Sequence, residues 1–86
     1  GRTTITVSKP STGVYDITMA TAHPLGTGYI PYVVARNDNS SATLANMRIA
    51  NWGNDSTGSF TSTKFGVKMY DGTPAYKDNA FSLLIF

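Results

Sequence analysis

His23 is the only histidine of the chain, and cysteine is absent. A cysteine nucleophile is therefore excluded, and a single side chain has an ordinary pKa near neutrality. A catalytic histidine needs a nucleophile and an orienting acid beside it. His23 stands directly before Pro24 in a turn-rich stretch and is read as shaping that turn. Structural zinc is held by several His or Cys ligands, which the count excludes. The acids are Asp16, Asp38, Asp55, Asp71 and Asp78, with no glutamate. A glycosidase needs two carboxylates facing each other across a cleft. Asp71 and Asp78 flank one turn region, yet aspartate in such a place more commonly bonds nearby backbone N–H groups. Calcium between the Asp38 and Asp55 loops is conceivable, although no EF-hand spacing exists. The expectation is a chain without catalytic activity, cofactor or metal.

Binding chemistry is better represented. Trp52, Tyr70 and Tyr76 lie at expected strand ends or in loops, near Asn51, Asn54, Asp71 and Lys77. An aromatic ring stacks on an apolar sugar face, while amides and carboxylates take the hydroxyls. Trp52, Tyr70, Tyr76, Asn51, Asn54 and Asp71 are the ligand-binding candidates. The competing expectation is that Trp52 caps the core and the tyrosines anchor an interface. Asn39-Ser40-Ser41 and Asn54-Asp55-Ser56 match the glycosylation sequon. Such matches matter only in a eukaryotic secretory pathway.

The elements that must position these residues are strands. Apolar residues alternate with hydroxyls in Thr4-Ile5-Thr6-Val7-Ser8, and Tyr15, Ile17 and Met19 alternate again after the turn cluster Lys9 to Gly13. The pair reads as a β-hairpin. Pro24, Gly26 and Gly28 break the next stretch. Tyr29 to Arg36 is a strand apolar on both faces, with Pro31 forcing an edge, a bulge or the strand's first residues. Asn37 to Ser41 is a polar loop, and Leu44 to Trp52 is read as a strand although its composition also suits a short helix. Another loop covers Gly53 to Gly58. Ser59 to Tyr70 is read as one long or broken strand, and Phe81 to Phe86 as an apolar strand that must be packed. About seven short strands between Gly, Pro and Asn turns argue for an all-β fold, an antiparallel β-sandwich or jelly roll. Ile5, Val7, Tyr15, Ile17, Val33, Ile49, Phe65, Val67, Phe81 and Leu83 are the expected core.

Composition bounds the function further. The chain has 86 residues, 14% of them charged, and a formal net charge of +2. Ordinary domains carry roughly 25% charged residues. The basic residues are scattered, whereas a nucleic-acid module would cluster them, so no nucleic-acid partner is expected. No apolar run approaches the roughly 18 residues needed to span a membrane, and no signal-peptide pattern opens the chain. One domain over residues 1–86 is expected, read as the C-terminal fragment of a longer fibrous protein. A domain this small without disulfides gains from association. Tyr32, Val34, Leu84 and Phe86 exceed what a two-layer core requires, which points to a covering subunit.

Three pieces together resemble the C-terminal domains of viral fibre proteins, particularly phage tail fibres. They are Thr12-Gly13-Val14-Tyr15-Asp16-Ile17-Thr18, then Ala22-His23-Pro24-Leu25-Gly26 with Tyr29-Ile30-Pro31-Tyr32-Val33, and Asp78-Asn79-Ala80-Phe81-Ser82-Leu83-Leu84-Ile85-Phe86. The resemblance spans nearly the whole chain in order and spacing. It implies a homotrimeric fibre tip on the virion surface that recognises a host-surface receptor, a glycan or glycoprotein. The same pieces are similar to the extracellular heads of C1q and tumour-necrosis-factor type, although Leu83 stands where those heads place Gly. An extracellular adhesion head is the alternative.

Overall fold

Among the described residues six strands follow one another: β1 (Ile5–Ser11), β2 (Val14–Met19), β3 (Pro31–Ala35), β4 (Ile49–Gly53), β5 (Lys64–Tyr70) and β6 (Phe81–Ile85). The computed structural model describes residues 4–36 and 43–85. The loop read over Asn37 to Ser41, with Asp38 and the Asn39 sequon, lies outside the described residues, as does Phe86. Among the described residues no helix is long and apolar enough to cross a membrane.

The strands form two antiparallel sheets. One has the order β1-β2-β5-β4, and the other pairs β3 with β6. The β1–β2 hairpin turns at Gly13, whose φ of 70° suits the left-handed region. Register in this hairpin is lost between Ser8 and Ser11. Pro10 falls in that gap, where an edge strand tolerates a residue without an N–H. Pro31 opens β3 and is buried there.

Residues directly opposite in an antiparallel pair share a face. Ile17 pairs with Phe65, Tyr15 with Val67 and Ala50 with Met69, which sets one inner face. Ile17, Met19, Phe65 and Val67 on this face, with Tyr29 from the preceding loop, form the buried core cluster. Val33, Phe81, Leu83 and Ile85 of the β3–β6 pair pack against it. Tyr15 meets Phe81 edge-on at 5.0 Å between ring centres. The apolar surface so removed from water contributes roughly 1.5–3 kcal/mol for each fully buried large side chain.

Period-two alternation therefore reads the inner face of β2 and β5 correctly. It fails at β1. Ile5 and Val7 oppose Met19 and Ile17 but are 40% and 51% exposed. β1 is the outermost strand, and among the described residues no second layer reaches over it. Tyr15, Val33, Ile49, Phe81 and Leu83 are half-buried rather than buried. Two strand boundaries also differ from expectation. Leu44–Asn46 is a 3-10 turn, closed by the Met47 N–H on the Leu44 carbonyl, and the strand begins only at Ile49. Residues 59–63 are irregular because the Thr61 hydroxyl accepts from the N–H groups of Thr63 and Lys64, offering the backbone an alternative to the ladder.

Candidate functional site around Trp52

β4 is an edge strand, and Trp52 sits near its end, opposite Val67. Its parity is inward, yet at this end of the sheet order it is 42% exposed. The ring abuts Phe60 at 5.8 Å, Phe60 stacks on Tyr29 at 5.0 Å, and Tyr29 stacks on His23 at 4.9 Å. A continuous aromatic row thus runs from the surface into the core. Tyr29 anchors it by donating its hydroxyl to the Thr61 carbonyl at 2.7 Å. Burial pushes the Tyr29 hydroxyl's pKa up. His23 Nδ1 accepts from the Leu25 N–H at 3.1 Å, the turn-shaping role expected of it.

Two hollows flank the end of β4. The first, of about 510 Å³, is lined by Thr27, Tyr29, Ile30, Trp52, Asn54 and Phe60, among others. It offers aromatic and aliphatic walls with an amide at the rim. The second, of about 300 Å³, lies among Asn51, Gly53, Asn54, Gly66 and Lys68 and also touches Trp52. It is polar and carries one cation.

The sequence candidates divide between two places. Trp52, Asn51 and Asn54 gather around the hollows. Tyr70 joins them through its hydroxyl, which accepts from Asn51 Nδ2 at 2.5 Å. Tyr76 is exposed and meets Tyr70 edge-on at 6.4 Å, so it extends the aromatic surface along the end of β5. Asp71 does not belong with them. It is 2% exposed, and its Oδ1 accepts from the N–H of Thr73, the hydroxyl of Thr73 and the N–H of Ala75. The Thr73 hydroxyl, followed by the Ala75 and Thr73 N–H groups, draws the Asp71 carboxyl down to about 2. This is the turn-forming use of aspartate weighed above, with Oδ1 filled by its own loop.

Asp16, Asp55 and Asp78 are used likewise. Asp16 holds the N–H and hydroxyl of Ser56. Asp55 holds Thr57 and Ser59, whose donors keep its carboxyl below the ordinary range. Asp78 takes the Lys9 ammonium at 2.6 Å and the Gly13 N–H at 2.8 Å. The pair conceived from Asp71 and Asp78 is thus two separate loop anchors. Among the described residues no three His, Cys, Asp or Glu side chains group closely enough to hold a metal ion.

Sequence reasoning missed Ile30, Phe60 and Lys68 as lining residues. Phe60 was hidden inside a stretch read as strand. Lys68 carries a usable signal, since it alternates outward between Val67 and Met69 opposite Asn51. Compared with known protein families, curated proteins and solved structures, the chain matches none.

Proposed function

We propose that this chain is the non-catalytic receptor-binding head of a trimeric viral or phage fibre, a small β-sandwich at the virion surface that takes a host glycan at Trp52. The observation that carries the binding role is a tryptophan 42% exposed on an edge strand, bordered by two hollows and by the amides of Asn51 and Asn54. A ring backed by Phe60 and Tyr29 is held at a fixed angle, so stacking a sugar on it orders few side chains. The commitment of Asp16, Asp55, Asp71 and Asp78 to loops leaves no described carboxylate poised for acid–base work on such a ligand.

Association is supported by the outward face of β3–β6. Tyr32 pairs with Leu84, and both are exposed, as is Val34 in the same row. Contiguous apolar surface of this kind marks an interaction site on a soluble chain. The fibre resemblance selects three copies, and the glycan as receptor. A glycan array probed with the isolated domain tests the binding role. Saturable binding without turnover is expected, and release of a cleaved product would overturn it.

A further inference from the structure

The smaller hollow is built rather than incidental. Its floor is Gly66, where a Cβ would stand 2.3 Å from the Asn54 carbonyl oxygen and 2.7 Å from Asp55 Cα. Only glycine lets the 54–59 loop fold this close onto the outer face of the sheet. The loop is then pinned twice. Asp16 of β2 grips Ser56 through both carboxylate oxygens, and Asp55 Oδ1 gathers Thr57 and Ser59. Asn54 is thereby held across the hollow from Lys68 and Asn51.

No carboxylate lines the hollow beside Lys68. Lys68 makes no hydrogen bond or ion pair among the described residues. Lys9 differs, being paired with Asp78. The carboxylate nearest Lys68 by register is Asp16, which opposes Gly66, and both its oxygens are taken by Ser56. Asn51 spends one N–H on Tyr70, and the Asn54 side chain is uncommitted among the described residues. An ammonium flanked by two amides in a fixed, roomy, carboxylate-free recess matches an anionic oxygen group.

Building on the role given above to Trp52, we propose that this recess binds the acidic substituent of the ligand, a carboxylate or a sulfate. The receptor class is then an acidic oligosaccharide. Its ring stacks on Trp52 while the acid reaches around the end of β4 to Lys68, Asn51 and Asn54.

The test is an array of matched glycans: sialylated, uronic-acid-bearing and sulfated members, each beside its neutral parent. The native chain should prefer acidic members at least tenfold, more strongly at low salt than at high salt. Which acidic set is retained separates carboxylate from sulfate. Lys68→Gln should abolish the preference, bringing acidic members down to the level of their neutral parents, and Lys68→Arg should preserve it. Trp52→Ala should weaken both classes. Because Lys68 is exposed and unpartnered among the described residues, its variants should melt with the native chain, which serves as the folding control. Equal binding of acidic and neutral partners, or a preference surviving in Lys68→Gln, would overturn the assignment while leaving the glycan-binding role intact. Failure of the native chain to bind any member would remove that role and the acidic recess with it.

Discussion

Asp55 and Asp71 build the same loop twice. Each carboxylate accepts, through Oδ1, the N–H and the hydroxyl of the threonine two residues on and the N–H four residues on. Each also donates its own N–H to the carbonyl four residues on, at 2.8 Å for Asp55 and 2.9 Å for Asp71. Asp-Ser-Thr-Gly-Ser and Asp-Gly-Thr-Pro-Ala are therefore one device placed after β4 and after β5. The first shapes the polar recess and the second closes the turn that brings Tyr76 beside Tyr70.

Acid should unfasten these loops. Asp71 is held near 2 against an ordinary value of 3.8, and Asp55 and Asp78 are lowered as well. A carboxyl whose folded pKa lies below its unfolded one stabilises the fold above the unfolded value, and the benefit fades as pH falls through the folded value. Melting temperature should hold from neutrality to about pH 4 and drop steadily toward pH 2. Asp71→Asn keeps an oxygen acceptor but removes the titration. It should be less stable than the native chain at pH 7 and should lose less on acidification. Parallel pH profiles for the two proteins would refute this account.

Gly13 makes the sharpest backbone demand. Its φ is +70°, and a Cβ would lie 2.4 Å from the Met69 carbonyl oxygen. Gly13→Ala should cost at least about 2 kcal/mol in urea unfolding, from left-handed strain and collision with a ladder strand. Gly53, with nothing within 4 Å of a built Cβ, is the control. Gly53→Ala should change stability by no more than about 0.5 kcal/mol.

The alternation of Tyr15, Ile17 and Met19, and of Phe65, Val67 and Met69, was legible because β2 and β5 are the central pair of their sheet, with residues of β3 and β6 packed against the core cluster on their inner face. The same alternation at Ile5 and Val7 misled, because periodicity reports which face a side chain takes and not whether anything covers that face. The aromatic part of the candidate site was legible from residue type alone. Asp71 was not separable from it, because an aspartate anchoring a loop and an aspartate facing a ligand look alike until Thr73 and Ala75 are seen to fill its oxygen. The threonine two residues after each aspartate is the signal that could have told them apart.

Trp52 is the only tryptophan, so intrinsic fluorescence reports the proposed ligand site without a label. Saturating glycan should change its intensity or emission wavelength, and a soluble quencher should reach it less readily in the complex. Phe60→Leu removes the ring that backs Trp52 and should weaken binding about tenfold with a modest stability cost, since Phe60 is only half-buried. A ligand that binds with no change in Trp52 emission or quenching would place the site elsewhere.

Leu83 and Leu84 are adjacent in β6 and face opposite ways. Leu83, opposite Val33, packs against the core, while Leu84, opposite Tyr32, is 57% exposed in the row of Val34. If the outward face is where copies meet, a charge at each position must act differently. Leu83→Glu places an unpaired carboxylate on the half-buried face shared with Phe81 and Ile85 and should lower the melting temperature of the chain sharply, because a lone charge is costly to remove even partly from water. Leu84→Glu leaves that core intact and should instead lower the solution mass from three copies to one. If the separated chains retain their fold, circular dichroism will still report β structure. If they lean on assembly, the melting temperature of the native protein will rise with concentration. Light scattering of the native domain at micromolar concentration gives the reference. A monomeric native mass would refute association, and a dimer would refute the threefold assignment. A Leu84→Glu protein that remains trimeric and equally stable would move the interface off β3–β6, and the uncovered row of Ile5 and Val7 on β1 would be the next surface to charge.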